Sequence, residues 1–381
     1  MHLYSSLSRI VRSVKRVART HYPGFIFGLP LKRGEIPAFV YHDVEAKSFI
    51  ADLSFLADNG YQTLTTEEFV TQYNKRDNTP SVLLTFDDAR RNFWEVAFPL
   101  LQEFNARATL FVPTYWIGGR QRSASSKGES RAGGHLFMTW DELRLCARSG
   151  LVDVQSHAHR HALVYKSMRL VTFASPRLLA RQPIYDWPMR QDGHNEMLGP
   201  PLLGTPIYEA IPLLSACSRV LENAPIVKAC QEVVAAEGGE GFFARPGWAT
   251  RLWKMHQQFA DRLVCPTWMD EDAFQSLVVS EFLLSRQLFE AELGVPPRYF
   301  AYPWMLGSDL SLQVAAETGI KAIFGVGLDY RRAAKLRGPL PAYGRIKGDW
   351  LRFLPGQGRL WLHRVIPAKL RGFLSSQHLA H

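Results

Sequence analysis

Short apolar runs bounded by turn residues alternate along the chain with stretches in which apolar residues recur every three or four positions. The short runs are rich in β-branched and aromatic residues and predict strands, whereas the spaced stretches predict amphipathic helices. Strands that alternate with helices are typical of a parallel sheet or a β/α barrel. The predicted strands are Ala38–Tyr41, Val82–Phe86, Ala108–Pro113, Val152–His157, Tyr299–Tyr302 and Ala322–Val326, and the predicted helices include Ser48–Ala57, Trp140–Ser149 and Ala273–Leu293.

The alternation of strands and helices breaks over residues 162–272, which separate two strands that would otherwise be close neighbours. This stretch is rich in Pro, Trp and Arg and contains helical patterns at Ile211–Leu221 and Ala249–Leu263. We therefore expect an insertion that is mostly helical and forms a lid.

The first 20 residues carry an apolar stripe at helical spacing, surrounded by Arg and Lys and without a single acid. Such a basic amphipathic helix suits either a membrane interface or packing on the protein's own body, and the pattern leaves both open. The formal net charge of +10 favours an anionic partner. The start lacks the unbroken apolar core of a secretory signal, so we expect a cytoplasmic protein, in peripheral contact with the inner membrane if the helix binds lipid.

Two polar clusters follow predicted strands and carry the candidate chemistry. Asp87 and Asp88 end an apolar run, at the position where the loops of a β/α barrel build active sites. His157, His159 and His161 follow another strand, and neutral imidazoles are common ligands of zinc and similar metals. Two histidines and one carboxylate leave coordination positions open for water and substrate, as hydrolysis requires. The four scattered cysteines include no CxxC pair and disfavour a disulfide scaffold or a cysteine zinc cluster.

A third strand ends in the aromatic sequence Phe300-Ala-Tyr-Pro-Trp304, which suits contact with sugar rings as well as packing of a barrel rim. Together with Thr85-Phe-Asp-Asp88, His157-x-x-x-His161 and Tyr41-His-Asp-Val44, it resembles the motifs of the polysaccharide deacetylase family (carbohydrate esterase family 4), and most closely those of its biofilm-polysaccharide branch. The resemblance covers about residues 36–161 and 274–350.

The resemblance implies an α/β fold, a distorted (β/α) barrel of about seven strands with a large insertion. The implied divisions are a basic N-terminal segment at 1–35, barrel segments at 36–161 and 273–350, the insertion at 162–272 and a basic tail at 351–381.

The resemblance also assigns roles to individual residues. Asp88, His157 and His161 would hold a divalent metal, most often zinc. Asp87 would be the general base, and the backbone N–H of Trp304 would contribute to the oxyanion hole. The expected proton donor is His363, with His159 and His42 as alternatives, and the expected substrate-binding residues are Tyr302, Trp304 and Arg345.

Two residues depart from the family pattern. Ala158 stands in place of a Ser or Thr that supports the second motif, and Ala301 stands where many members have an Arg that orients the base. Arg345 and Arg298 are candidates to replace that arginine.

The leading hypothesis is a hydrolase that removes an N-acetyl group from an amino sugar in a glycan or glycolipid, such as a lipid-linked intermediate. The alternatives are a deformylase or other C–N hydrolase on the same barrel, and a catalytically silent glycan-binding homologue. Nucleic acid is not an expected partner, because the positive residues are dispersed and no recognised motif accompanies them.

Overall fold

The computed structural model describes residues 22–73, 75, 79–118, 136–192, 195–260, 266–325 and 338–361. The predicted N-terminal helix, the tail from residue 362 and His363 lie outside these residues. The strands are β1 Ala38–Tyr41, β2 Gln62–Thr63, β3 Ser81–Phe86, β4 Ala108–Val112, β5 Val152–Ser156, β6 Leu163–Phe173, β7 Arg190–Asp192, β8 Asn195–Met197, β9 Pro206–Pro212, β10 Tyr299–Ala301, β11 Ala322–Phe324, β12 Ala342–Tyr343 and β13 Ile346–Lys347.

The α-helices are α1 Ala46–Asp58, α2 Thr66–Gln72, α3 Phe98–Glu103, α4 Trp140–Arg148, α5 Pro176–Leu179, α6 Ala224–Ala236, α7 Trp248–Ala260, α8 Glu271–Leu293 and α9 Asp309–Glu317. Short helical turns lie at Gly24–Phe27, Phe93–Ala97, Thr114–Trp116, Ile184–Asp186, Leu213–Ser215, Gly239–Ala244, Pro303–Met305 and Gly348–Phe353. Among the residues described, no helix has both the length and the apolar character needed to cross a bilayer.

The described residues fall into two compact units, one with residues up to 157, 286–305 and those from 319 onwards, the other with 158–285 and 306–318. The predicted division of the chain into five segments, and the lid formed by 162–272, stay predictions.

The first unit contains a parallel sheet with eight strands in the order β12-β11-β10-β5-β4-β3-β1-β13, and β2 pairs with β3 beside this row. The two outermost strands, β12 and β13, are separated in sequence only by Gly344 and Arg345. Because three residue steps reach about 11 Å at most, the two edges of the sheet must lie close together. The sheet is therefore curled, and the predicted α/β barrel is confirmed, with eight strands in the row rather than about seven.

Side chains alternate across β3 between two apolar clusters. Val82, Leu84 and Phe86 belong to a cluster that includes many helix residues, which covers the outside of the sheet. Leu83 belongs to a cluster drawn largely from the strands themselves, so this face lines the barrel interior. By the same alternation, Thr85 and Asp87 face the barrel interior.

The second unit contains the antiparallel pair β6–β9, the pair β7–β8 and helices α6 and α7. The predicted helix at Ile211–Leu221 is wrong, because β9 extends to Pro212 and only Leu213–Ser215 form a short helical turn. Its apolar spacing is helical, but Pro212 disfavours helical backbone at the residue before it. The predicted helix at Ala249–Leu263 is present as α7, within the residues described.

Candidate metal centre and active site

The three motifs predicted to carry chemistry lie at the carboxyl ends of strands in the same parallel sheet. Asp87 and Asp88 follow β3, His157 follows β5, and Trp304 lies shortly after β10. The row order places β10 beside β5 and leaves only β4 between β5 and β3. Because parallel strands end at the same edge, this topology brings the three motifs together at the face where β/α barrels build active sites.

The backbone at these strand ends adopts a conformation that non-glycine residues rarely take. Asp88, Ala158, His161 and Trp304 have φ angles of 74°, 69°, 49° and 52°. Such angles cost of order 1–3 kcal/mol each and persist only where surrounding structure imposes them. The positive φ at Asp88 also ends the strand alternation, and both carboxylates approach the same imidazole: His157 Nε2 lies 3.9 Å from Asp87 Oδ2 and 3.6 Å from Asp88 Oδ1.

Asp88, His157 and His161 form a buried group that fits a divalent cation. Each offers one ligand atom, and these atoms lie within 4.8 Å of one another. Asp88 Oδ1 lies 3.6 Å from His157 Nε2, and His161 is only four residues further along the chain. Two imidazoles and a carboxylate are a donor set found in catalytic zinc and iron sites, and the set fits the predicted metal.

His157 is held in the form that a metal ligand requires. Its Nδ1 lies 2.8 Å from the carbonyl oxygen of Ala301. A carbonyl only accepts, so Nδ1 carries the proton and Nε2 keeps its lone pair for a cation. Burial lowers the pKa of His157, against the opposing charges of Asp87 and Asp88. The imidazole is therefore favoured in its neutral form.

The second oxygen of Asp88 is held by a residue that sequence reasoning missed. Arg90 donates from Nε to Asp88 Oδ2 at 3.1 Å, and it also pairs with Asp43 at 2.6 Å. Asp43 belongs to the Tyr41-His-Asp-Val44 motif after β1, so Arg90 connects that motif to Asp88 after β3. This arrangement orients Asp88 with its Oδ1 toward His157.

Asp87 makes a buried ion pair with Arg345 in the barrel interior. Two guanidinium nitrogens of Arg345 lie 2.6 and 2.8 Å from the two carboxylate oxygens. Burial acts to raise the pKa of Asp87, but the charges of Arg345 and His157 outweigh it and hold that pKa well below its usual value. Arg345 therefore lies beside Asp87, the predicted base, whereas Arg298 pairs with Glu67 at the surface.

Replacing Arg345 by Met is expected to destabilise the metal-free protein by about 3–5 kcal/mol, because it leaves the Asp87 carboxylate buried without its partner. Urea unfolding in the presence of a chelator measures the change. The matched control is Arg298→Met, which breaks a pair with 56% exposed side chains and is expected to cost about 0–1 kcal/mol. Equal losses in the two variants would contradict a special role for the buried pair.

The other predicted residues lie in varied surroundings, and their roles stay predictions. Tyr302 is fully buried against Phe300. Trp304 is partly buried and His159 is partly exposed. His42 follows β1 level with Asp87, since Tyr41 pairs with Phe86, whereas His363 lies outside the described residues.

Part of the chain is similar in sequence to known proteins. Residues 74–179 match the family described as polysaccharide deacetylase. YxkH of Bacillus subtilis, named for that family, is 30% identical over 34% of this chain and 44% of its own length. The poly-beta-1,6-N-acetyl-D-glucosamine N-deacetylase of Escherichia coli K12 is 28% identical over 31% of this chain and 18% of its own.

The similarity extends to the fold. A de-N-acetylase structure from Aggregatibacter actinomycetemcomitans superposes with a TM-score of 0.51 and 16% identity, covering 82% of this chain and 94% of that one. The chain spans less than half the length of the two curated relatives. The resemblance predicted from the strand-end motifs is confirmed, since residues 74–179 are similar to the polysaccharide deacetylase family.

Proposed function

We propose that this protein is a metal-dependent hydrolase that removes the N-acetyl group from an amino sugar. The observation that carries the proposal is the buried group of Asp88, His157 and His161 beside a separately held carboxylate, Asp87. A ligand set and an adjacent base are the two parts that metal-assisted amide hydrolysis needs. The similarity to enzymes named as deacetylases supports the acetamido group as the bond that is cleaved.

A divalent cation held by Asp88, His157 and His161 would supply a Lewis acid for the acyl carbonyl and a more acidic water. Asp87, kept ionised by Arg345, accepts the proton of the attacking water as its oxygen bonds to the acyl carbon. The backbone N–H of Trp304 donates to the developing oxyanion. Cleavage of the C–N bond then requires a proton for the leaving amine.

We assign that proton to His42, one of the predicted alternatives to His363. His42 lies level with Asp87 across the β1–β3 pair, and its charge contributes to the lowered pKa of Asp87. His42 is also exposed, so it can exchange protons with water between turnovers. The products are acetate and a free amino sugar.

We further propose a lipid-linked or other anionic glycan-assembly intermediate at the inner membrane face as the substrate. The support is compositional, since the first 20 residues combine an apolar stripe with basic side chains and the tail from residue 364 again mixes basic and apolar residues. Both segments would favour an anionic membrane surface.

The direct test supplies the full-length protein, loaded with Zn²⁺ or Co²⁺, with N-acetylglucosamine oligomers, a nucleotide-linked N-acetylhexosamine and a lipid-linked N-acetylhexosamine. Acetate and new primary amine are both quantified. We expect the two products in equal amounts, release that stops with a chelator, and the fastest turnover on the lipid-linked sugar. Absence of acetate from every substrate with metal-loaded, folded protein would contradict the proposed function.

The same assay separates the alternatives. A deformylase would release formate from an N-formyl sugar and leave the acetamido group intact. A silent glycan-binding homologue would bind the oligomers with the same affinity in the presence and absence of chelator and release neither acid.

A further inference from the structure

The segment between the two histidine ligands is held by a buried carboxylate from a distant helix. Residues 158–161 begin and end with a positive φ, at Ala158 and His161, so the backbone is strained at both ends. The methyl group of Ala158 cannot make a hydrogen bond that would fix this segment. A conformation of this kind persists only where neighbouring groups impose it.

Glu281, on α8, accepts three hydrogen bonds from this segment. Its Oε2 accepts from the backbone N–H of His159 at 3.1 Å and from that of Arg160 at 2.8 Å. Its Oε1 accepts from the guanidinium of Arg160 at 2.6 Å, and the same guanidinium reaches Ser280 Oγ at 2.9 Å. Hydrogen bonds to an ionised carboxylate are roughly twice as strong as those between neutral groups.

Because Glu281 is buried, its carboxylate would be costly without hydrogen-bond partners. The residue is only 1% exposed, and a buried carboxylate is retained in a protein when it is paired and hydrogen-bonded. Both of its oxygens are used on two consecutive residues of the strained segment. The carboxylate therefore fixes the path of the chain immediately before His161.

We propose that Glu281 is a positioning residue for the metal centre, acting as a clamp on residues 158–161 that sets the direction of His161. The inference rests on the metal centre of the proposed function. Glu281 does not itself act as a ligand or as a base. Its loss is expected to loosen the histidine segment and to weaken metal binding while the fold is retained.

The test compares Glu281→Gln with wild-type protein, using Co²⁺ as the probe. Gln keeps the size of the side chain but replaces one acceptor oxygen by a donor, so at least one bond of the clamp is lost. We expect Co²⁺ affinity to fall about 10- to 100-fold, as for other groups that orient a metal ligand, with a changed visible spectrum of the bound ion. The control is Glu290→Gln on the same helix, where a 44% exposed carboxylate pairs with Arg286.

Unchanged Co²⁺ affinity and spectrum in a folded Glu281→Gln variant would overturn the proposal. If that variant fails to fold, hydrogen exchange in the metal-free wild type decides. The clamp predicts that the amides of His159 and Arg160 exchange at least about 100-fold more slowly than in an unstructured peptide, and exchange at the peptide rate would overturn it. Failure of the wild type to bind Co²⁺ would instead contradict the metal centre. The exchange rates of the His159 and Arg160 amides would still test the clamp by Glu281.

Discussion

Replacing Asp87 by Asn is expected to lower kcat for deacetylation by about 100- to 10,000-fold, the usual contribution of a general base. The amide has nearly the same shape but cannot take the proton of the attacking water. Because Asp87 is not one of the three proposed ligands, metal content should be retained. Steady-state assays and metal analysis on the same preparation measure both quantities.

The control for Asp87→Asn is Asp141→Asn, which removes an 86% exposed carboxylate at the start of α4. That variant should keep wild-type kcat. An Asp87→Asn enzyme with near-normal kcat and full metal content would show that another group accepts the proton. An inactive variant that has also lost its metal would mean that Asp87 belongs to the ligand set.

Among the clustered histidines, His157 and His159 are expected to respond in opposite ways to replacement by Ala. His157→Ala removes a proposed ligand atom that is buried. Loss of a residue that only orients a ligand lowers metal affinity about 10- to 100-fold, and His157→Ala should lower it further. His159→Ala should leave metal affinity close to wild type, since only the backbone N–H of His159 takes part in the Glu281 clamp.

Competition titration with a chromogenic chelator measures these affinities, and thermal melts of the metal-free variants confirm that each protein is folded. Equal loss of affinity in both variants would contradict a ligand set that contains only two histidines. Loss confined to His159→Ala would place the metal elsewhere in the cluster.

The longer strands of the sheet are predictable from the sequence, whereas the shortest ones are not. Six strands of the row have at least three residues each, and a short β-rich run predicts each of them. The strands β2, β12 and β13 have two residues each, too few for any periodicity, and only their pairing reveals them. At Ile211 the apolar spacing is helical, but Ile211 pairs with Val164 in β9 and precedes a proline, which disfavours helical backbone at that residue.

The grouping of Asp88, His157 and His161 was predictable for a different reason. Asp88 and His157 each follow a buried strand, and parallel strands that end at one edge bring such residues together whatever their separation in sequence. The side chains that bond to Asp87 and to the histidine segment show no comparable local pattern in the sequence. Arg345 is 258 residues from Asp87, and Glu281 is 121 residues from Arg160. Arg345 is one of two arginines that the sequence offers as a partner for Asp87, whereas no sequence signal points to Glu281 or Arg90.

The position of a bound metal ion decides whether Asp88, His157 and His161 form the metal centre. Crystals of the protein grown with Zn²⁺ would be measured on both sides of the zinc absorption edge, so that anomalous differences locate the ion. We predict one strong peak about 2.0–2.2 Å from a carboxylate oxygen of Asp88 and from ring nitrogens of His157 and His161. Full zinc occupancy at a site that excludes any of these three residues, or no peak beside them, would contradict the proposed metal centre.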